Sequence, residues 1–202
     1  MQITDIKPTK RGGRYSIYIE GKYSFSLGDL ELSSSGLRIG DDLTKDEIDN
    51  WKSEVERSKL KSRVLRNIVI RPRSVWELSQ YLRRKGYGDE DIDFAIGYAT
   101  ELGYLDDAEF AAKWIEYRQS TTPRSRYRLS AELRAKGVPK EITDDALQTQ
   151  DRDAQRQALA SLIEKKRGRY AEDSKLIGYC VRQGFPIGMI KEVIAETSAK
   201  DA

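Results

Sequence analysis

The sequence predicts a mainly all-α protein: three tandem three-helix repeats in an elongated curved array, preceded by a small N-terminal β-hairpin or three-stranded segment. Three observations lead there. An apolar ladder runs into a glycine and is followed by a second short apolar pattern three times over. The copies are Leu78, Leu82 and Gly86 with Ile92 and Ile96, then Leu129, Leu133 and Gly137 with Ile142 and Leu147, then Leu176, Cys180 and Gly184 with Ile190 and Ile194. They recur at intervals of 51 and 47 residues, in the range of helical repeat arrays. A unit this short cannot bury its own stripe, so neighbours must stack. The expected divisions are 1–44 for the β segment and 45–100, 101–150 and 151–202 for the repeats.

In the first segment Tyr15, Ile17 and Ile19 alternate with polar neighbours, and Tyr23, Phe25 and Leu27 continue the period of two after Gly21. Ile3 and Ile6 supply a third strand. Such a sheet is too small to stand alone and should dock on the first helix. Ser33 to Gly36 reads as a loop. Thr44 and Glu47 then form a capping box with Leu43 and Ile48 as its hydrophobic staple, opening a helix that should stop before Pro72. Ser74 with Glu77, and Asp106 with Glu109, repeat the capping signature. Gly86, Gly103, Gly137, Gly168 and Gly184 fall at helix C-cap positions, and Pro139 and Pro186 at first-turn positions.

Composition excludes several classes of chemistry. There is no histidine and one cysteine, which removes the commonest general base and any four-ligand structural zinc site. Cys180 lies in an apolar helical register and reads as a small buried hydrophobe. Asp106 and Asp107 are accounted for by capping and by the favourable first-turn position. No enzyme activity, metal or cofactor is expected. No run approaches the roughly 20 apolar residues of a membrane span, and a secretory signal core is lacking, so a cytoplasmic monomer is expected.

Charge is segregated. From Arg57 to Lys85 there are ten basic residues against one acid, Glu77, and from Asp89 to Glu109 eight acids and no base. Basic character returns from Arg118 to Lys140, where Glu132 is the single acid. Solvated helices ordinarily mix signs because intrahelical pairs stabilise them. Arginine-rich spacing favours forked recognition of phosphate or carboxylate. The candidate contact residues are therefore Arg71, Arg73, Arg83, Arg84, Lys85, Arg124, Arg126, Arg128, Arg134 and Lys136. Helix-dipole compensation would explain one basic residue ahead of Gly86, not three. Trp51, Trp76 and Trp114 read as packing residues, with Trp76 beside Arg73 the candidate for stacking on a base.

Arg71-Pro72-Arg73-Ser74-Val75-Trp76-Glu77-Leu78, Leu82 to Gly86, Gly103-Tyr104-Leu105-Asp106-Asp107 with Phe110-Ala111, and Arg128-Leu129 with Glu132 to Gly137 together resemble the RecX family across residues 65–147. The third unit is similar only loosely, and Thr122-Pro123 stands where family members often carry a glycine. The resemblance implies a regulator that binds the RecA recombinase filament on single-stranded DNA and mainly inhibits it, acting in recombination, DNA repair and the SOS response. The residues by themselves leave two other readings open: a direct DNA-binding helical-repeat protein, with weak duplex binding, and a helical scaffold for an acidic protein.

Overall fold

The structure, a computed structural model, describes residues 1–10, 12–170 and 172–200. Two compact units are present, Met1–Asn67 and the remainder from Ile68 onward.

In the first unit, β1 (Ile3–Pro8), β2 (Arg14–Ile19) and β3 (Lys22–Gly28) form an antiparallel sheet in the order β1-β2-β3. The β2–β3 turn places both Glu20 (φ 49°) and Gly21 (φ 75°) in the left-handed region, the geometry that matches the twist of a two-residue hairpin. Ile17 pairs with both Ile6 and Phe25, so one face of the sheet is apolar in all three strands. That face packs on Leu43, Ile48 and Val55, and Phe25 stacks on Trp51 at 6.3 Å between ring centroids. The sheet thus docks on helix α2 (Lys45–Ile70), as its size requires. Thr44 and Glu47 cap α2 reciprocally at 3.2 and 2.8 Å, and the helix ends two residues before Pro72.

One segment departs from expectation. Asp29–Ser35 is a short helix, α1, not a loop, and Gly36 (φ 70°) ends it. Its amino end is closed by the Glu31 carboxylate, which accepts from the Gly28 amide at 2.7 Å and from the Ser58 hydroxyl. A long-range hydroxyl partner leaves no local signature in the sequence.

In the second unit, α3 (Val75–Arg84) packs on α4 (Asp89–Glu101). Helices α5 (Asp107–Thr121), α6 (Arg126–Ala135) and α7 (Lys140–Ala146) enclose Phe110, Ala111, Ile115, Leu129, Leu133, Val138 and Leu147. Helices α8 (Arg152–Arg167), α9 (Asp173–Arg182) and α10 (Ile187–Lys200) enclose Leu159, Leu162, Ile163, Leu176, Cys180 and Ile190. The ladder residues Leu78, Leu82, Leu129, Leu133, Leu176 and Cys180 are all fully buried. Gly168 departs from the C-cap expectation: its φ of −61° is right-handed, whereas Gly86, Gly103, Gly137 and Gly184 have positive φ. Pro139 sits at the N-cap, one residue outside α7, and Pro186 immediately precedes α10.

The middle helices are joined by one repeated device. The Ser74 hydroxyl, N-cap of α3, accepts from the Glu77 amide and donates to the Lys136 carbonyl at the end of α6. At the corresponding place in the next pair, Ser125 caps α6 and its amide donates to the Gln183 carbonyl at the end of α9, at 3.3 Å. The following amides are also taken from the next unit: Val75 donates to Asp107 at 2.9 Å, and Arg126 to Gln155 at 3.4 Å. The amino end of each middle helix therefore meets the carboxyl end of the next, an arrangement the helix dipoles favour.

Side chains of the neighbouring repeat approach the backbone closely enough at these joints to require glycine. A Cβ on Gly137 would lie 2.2 Å from Trp76 Cβ, and one on Gly184 2.4 Å from Ser125 Oγ. Gly86 has the same left-handed backbone, but no described atom lies within 4 Å of its Cβ position. Gly86→Ala should cost only the left-handed penalty, about 1–2 kcal/mol, while Gly137→Ala should cost at least about 2 kcal/mol more. Urea denaturation of the two variants checks this, and equal losses would refute the joint.

Candidate binding surface

The predicted cations divide into those ion-paired within the fold and those that form no ion pair among the described residues. Glu77, the single acid of the first basic run, accepts two bonds from Arg71, at 2.7 and 3.1 Å, and one from Lys136 at 2.9 Å. Its side chain is 12% exposed. Lys136 is itself largely covered and lies over the Trp114 ring, 4.2 Å from its centroid. Burial alone would raise the Glu77 carboxyl, but the bonds and charges of Arg71 and Lys136 outweigh it and hold the group at about 2. This cluster spans the first and second helical repeats, alongside the Ser74 joint.

Glu132 plays the same part in the second basic run. Its Oε2 accepts from Arg118 Nε at 2.8 Å and from the Trp114 indole at 3.1 Å. Arg124 approaches Oε1 at 3.5 Å, an ion-pair distance without hydrogen-bond geometry, and Arg128 at 3.9 Å. Arg118 also lies over Trp114 at 4.5 Å. The two isolated acids of the sequence are thus the centres on which the basic runs are organised, and Arg71, Arg124 and Lys136 serve the fold.

Arg84, Lys85, Arg126 and Arg134 remain. None makes an ion pair among the described residues, and Arg84, Lys85 and Arg134 are exposed. Arg83 reaches Asp89 at 3.1 Å, with both side chains exposed, where a salt bridge contributes little. Arg128 is half exposed and its distance to Glu132 is long. Arg73 is different again: its Nε is buried without a hydrogen-bond partner, and burial, reinforced by neighbouring Arg71, lowers its pKa. A guanidinium stays charged nonetheless. Trp76 is 46% exposed, and its inner atoms pack on Gly137.

The carboxylates at the start of α5 are used in capping. Asp106 accepts from the Ala108 and Glu109 amides, and Asp107 from Val75, so both cap helices. Burial, with Asp106 and Glu77 nearby, raises the Asp107 carboxyl even against that amide. Burial also pushes the Cys180 thiol up to about 11, the opposite of an activated nucleophile. Among the described residues no group of three His, Cys, Asp or Glu side chains could hold a metal ion, and no helix is long and apolar enough to cross a membrane.

Sequence reasoning passed over the outer face of α5. Phe110, Trp114 and Tyr117, at i, i+4 and i+7, form an aromatic strip with ring separations of 6.1 and 6.4 Å. Lys113 and Arg118 flank it. The spacing was the available signal, masked because Phe110 alone of the three is buried.

Known proteins place this arrangement. Residues 61–98 match the first three-helix domain of RecX and residues 106–147 its second three-helix domain. The regulatory protein RecX of Amycolatopsis mediterranei is 36% identical over 135 residues, covering 64% of this chain and 77% of that protein. The chain belongs to the RecX family. RecX of Halalkalibacterium halodurans is 30% identical, covering 98% of this chain and 79% of that one. RecX of Caldanaerobacter subterraneus subsp. tengcongensis is 26% identical over 96% of this chain and 98% of its own. A crystal structure of regulatory protein RecX shares the fold, with TM-score 0.71, 24% identity, and coverage of 95% of this chain and 98% of its own. RecX is a regulatory protein family, not an enzyme family.

The Glu77 cluster makes a pH-dependent prediction. A carboxyl depressed from 4.5 to about 2 contributes stability in full above its unfolded value and loses it as pH falls through the folded one. Near neutral pH Glu77→Gln should destabilise the chain by about 2 kcal/mol, and the gap should close as pH drops from about 4.5 toward about 2. Denaturant titrations of both proteins across that window are the check. A gap independent of pH would contradict the assignment.

Proposed function

We propose that this RecX-family chain regulates a RecA-type recombinase by binding its filament on single-stranded DNA, mainly as an inhibitor, in recombination, DNA repair and the SOS response. Family membership supports a regulatory role. The observation that supports the contact surface is the division of the cations: among the described residues Arg84, Lys85, Arg126 and Arg134, on or at the end of two successive middle helices, form no ion pair, although acids lie close by in the sequence. Guanidinium and ammonium groups outside ion pairs suit a polyanion or an acidic protein groove. Arg83 and Arg128, weakly paired and about half exposed, belong to the same surface. Arg71, Arg124 and Lys136 act behind it, holding the helices that present it.

The test is to add the purified chain to recombinase filaments and follow DNA-dependent ATP hydrolysis and strand exchange. Inhibition is expected. Replacing Arg84, Lys85, Arg126 and Arg134 together with alanine should raise the half-inhibitory concentration about tenfold without lowering the melting temperature. If these groups contact phosphates directly, the log-affinity against log-salt slope on single strands should flatten by about 3. Rates unchanged at several-fold excess of the wild-type chain would overturn the proposal.

A further inference from the structure

The middle helices of the first two repeats share more than their leucines. Trp76 stands two residues before Leu78 and Tyr127 two before Leu129, while Arg83 and Arg134 each lie three residues ahead of the closing glycine. Aromatic and arginine are thus seven positions apart in both helices, almost two turns, and fall on one stripe about 10 Å long. The ladder leucines recur because the core demands them. The stripe lies on the outer side and has no such reason. In the third repeat its positions hold Ser174 and Val181, and α9 still packs on its core.

On α6 the stripe is bare. Tyr127 is 78% exposed, and neither its ring nor its hydroxyl has a partner among the described residues. Arg128, Ala131, Arg134 and Ala135 are exposed with it, so two alanines leave a low floor between the ring and the second arginine. The one acid of α6, Glu132, is turned inward to Arg118. The facing carboxylate of α7, Asp144, acts on Arg126 and Arg134 but is held by Lys140 at 2.9 Å, and Glu141 beside it acts on the same lysine. On α3, Asp89 meets Arg83 in an exposed pair that a phosphate can replace. Roughly 15 Å beyond Tyr127 the stripe of α6 ends at Gly137, where Trp76 packs with its inner atoms and stays 46% exposed. Ring, arginine and ring therefore follow one another along α6.

We propose that this stripe binds single-stranded nucleic acid directly, Tyr127 and Trp76 each stacking on an unpaired base while Arg134 and Arg83 hold phosphates. The inference rests on the regulatory reading for its choice of a DNA target, and adds that the chain touches the strand itself, through bases as well as charge. Every base offers a π face, so stacking tolerates any sequence, whereas a duplex keeps its bases inside. The planar fork of arginine matches a phosphate. A strand alternates base and phosphate, as the stripe alternates ring and arginine; a groove in a folded protein has no such alternation.

Two titrations of the full chain decide it, and neither needs a recombinase. The first follows binding of a fluorescein-labelled deoxythymidine decamer and of the same decamer without its bases. The wild type should prefer the intact decamer about tenfold. Tyr127→Ala should weaken binding of the intact decamer about tenfold and leave the abasic one unchanged, while Tyr127→Phe keeps wild-type affinity. The log-affinity against log-salt slope should stay the same in Tyr127→Ala and flatten by about 0.7 in Arg134→Ala. In the second, the ¹⁵N-labelled Trp76 indole signal should move on adding the decamer and the Trp51 indole should stay still.

Equal affinity for the two decamers, a still Trp76 signal, or Tyr127→Ala binding like the wild type overturns the proposal and leaves the regulatory reading standing. If the filament assay shows no inhibition while the intact decamer still separates Tyr127→Ala from the wild type, the regulatory reading falls and this one stands. Should Tyr127→Ala weaken inhibition alone, with decamer binding unchanged, the ring grips the recombinase and the proposal is lost.

Discussion

The Glu77 carboxylate is the constraint on which the helical part of this molecule depends. It sits at the start of α3, yet one of its cations comes from α6, 59 residues on. A buried carboxylate is costly to desolvate and is tolerated only when donors surround it. Here the two cations that satisfy it also bring Lys136 over Trp114 and align the Lys136 carbonyl for the Ser74 hydroxyl. Removing the charge would leave Arg71 and Lys136 facing one another without compensation. Ion pair, helix joint and aromatic packing are therefore one unit, and the surface cations of α3 and α6 hold their relative positions through it.

Glu132 shows the same solution with different parts. There the acid lies inside the middle helix and collects Arg118, Arg124, Arg128 and the Trp114 indole. Trp114 touches both clusters, since Lys136 of the first and Arg118 of the second lie over its ring. An aromatic face can accept both cations without using a lone pair. Two basic runs are thereby folded around two acids, while Arg84, Lys85, Arg126 and Arg134 form no ion pair among the described residues.

Much of this fold was legible from local pattern. The caps at Thr44, Ser74 and Asp106, the stop before Pro72 and the three leucine ladders each depend on neighbours within one helical turn, and each was found where its residues predicted it. The sheet followed from alternation and a glycine turn. What escaped was non-local. Helix α1 is closed by Ser58, the Gly137 joint by Trp76, and the Glu77 cluster by Lys136, partners separated by 27, 61 and 59 positions. Charge runs announced that cations were in excess. They could not say which would be consumed inside, because that depends on which helix ends meet.

The serine-to-carbonyl joints carry one more implication. Both run in the same sense, from the front of one middle helix to the back of the next, and turning one helix alone end for end would point two like dipole ends at each other. The stacked helices consequently possess an arrow. Side chains spaced along that arrow present themselves in a fixed order, so a target with its own directionality, whether a nucleic-acid strand or a polymer of identical subunits, meets two inequivalent fits when approached forward or backward.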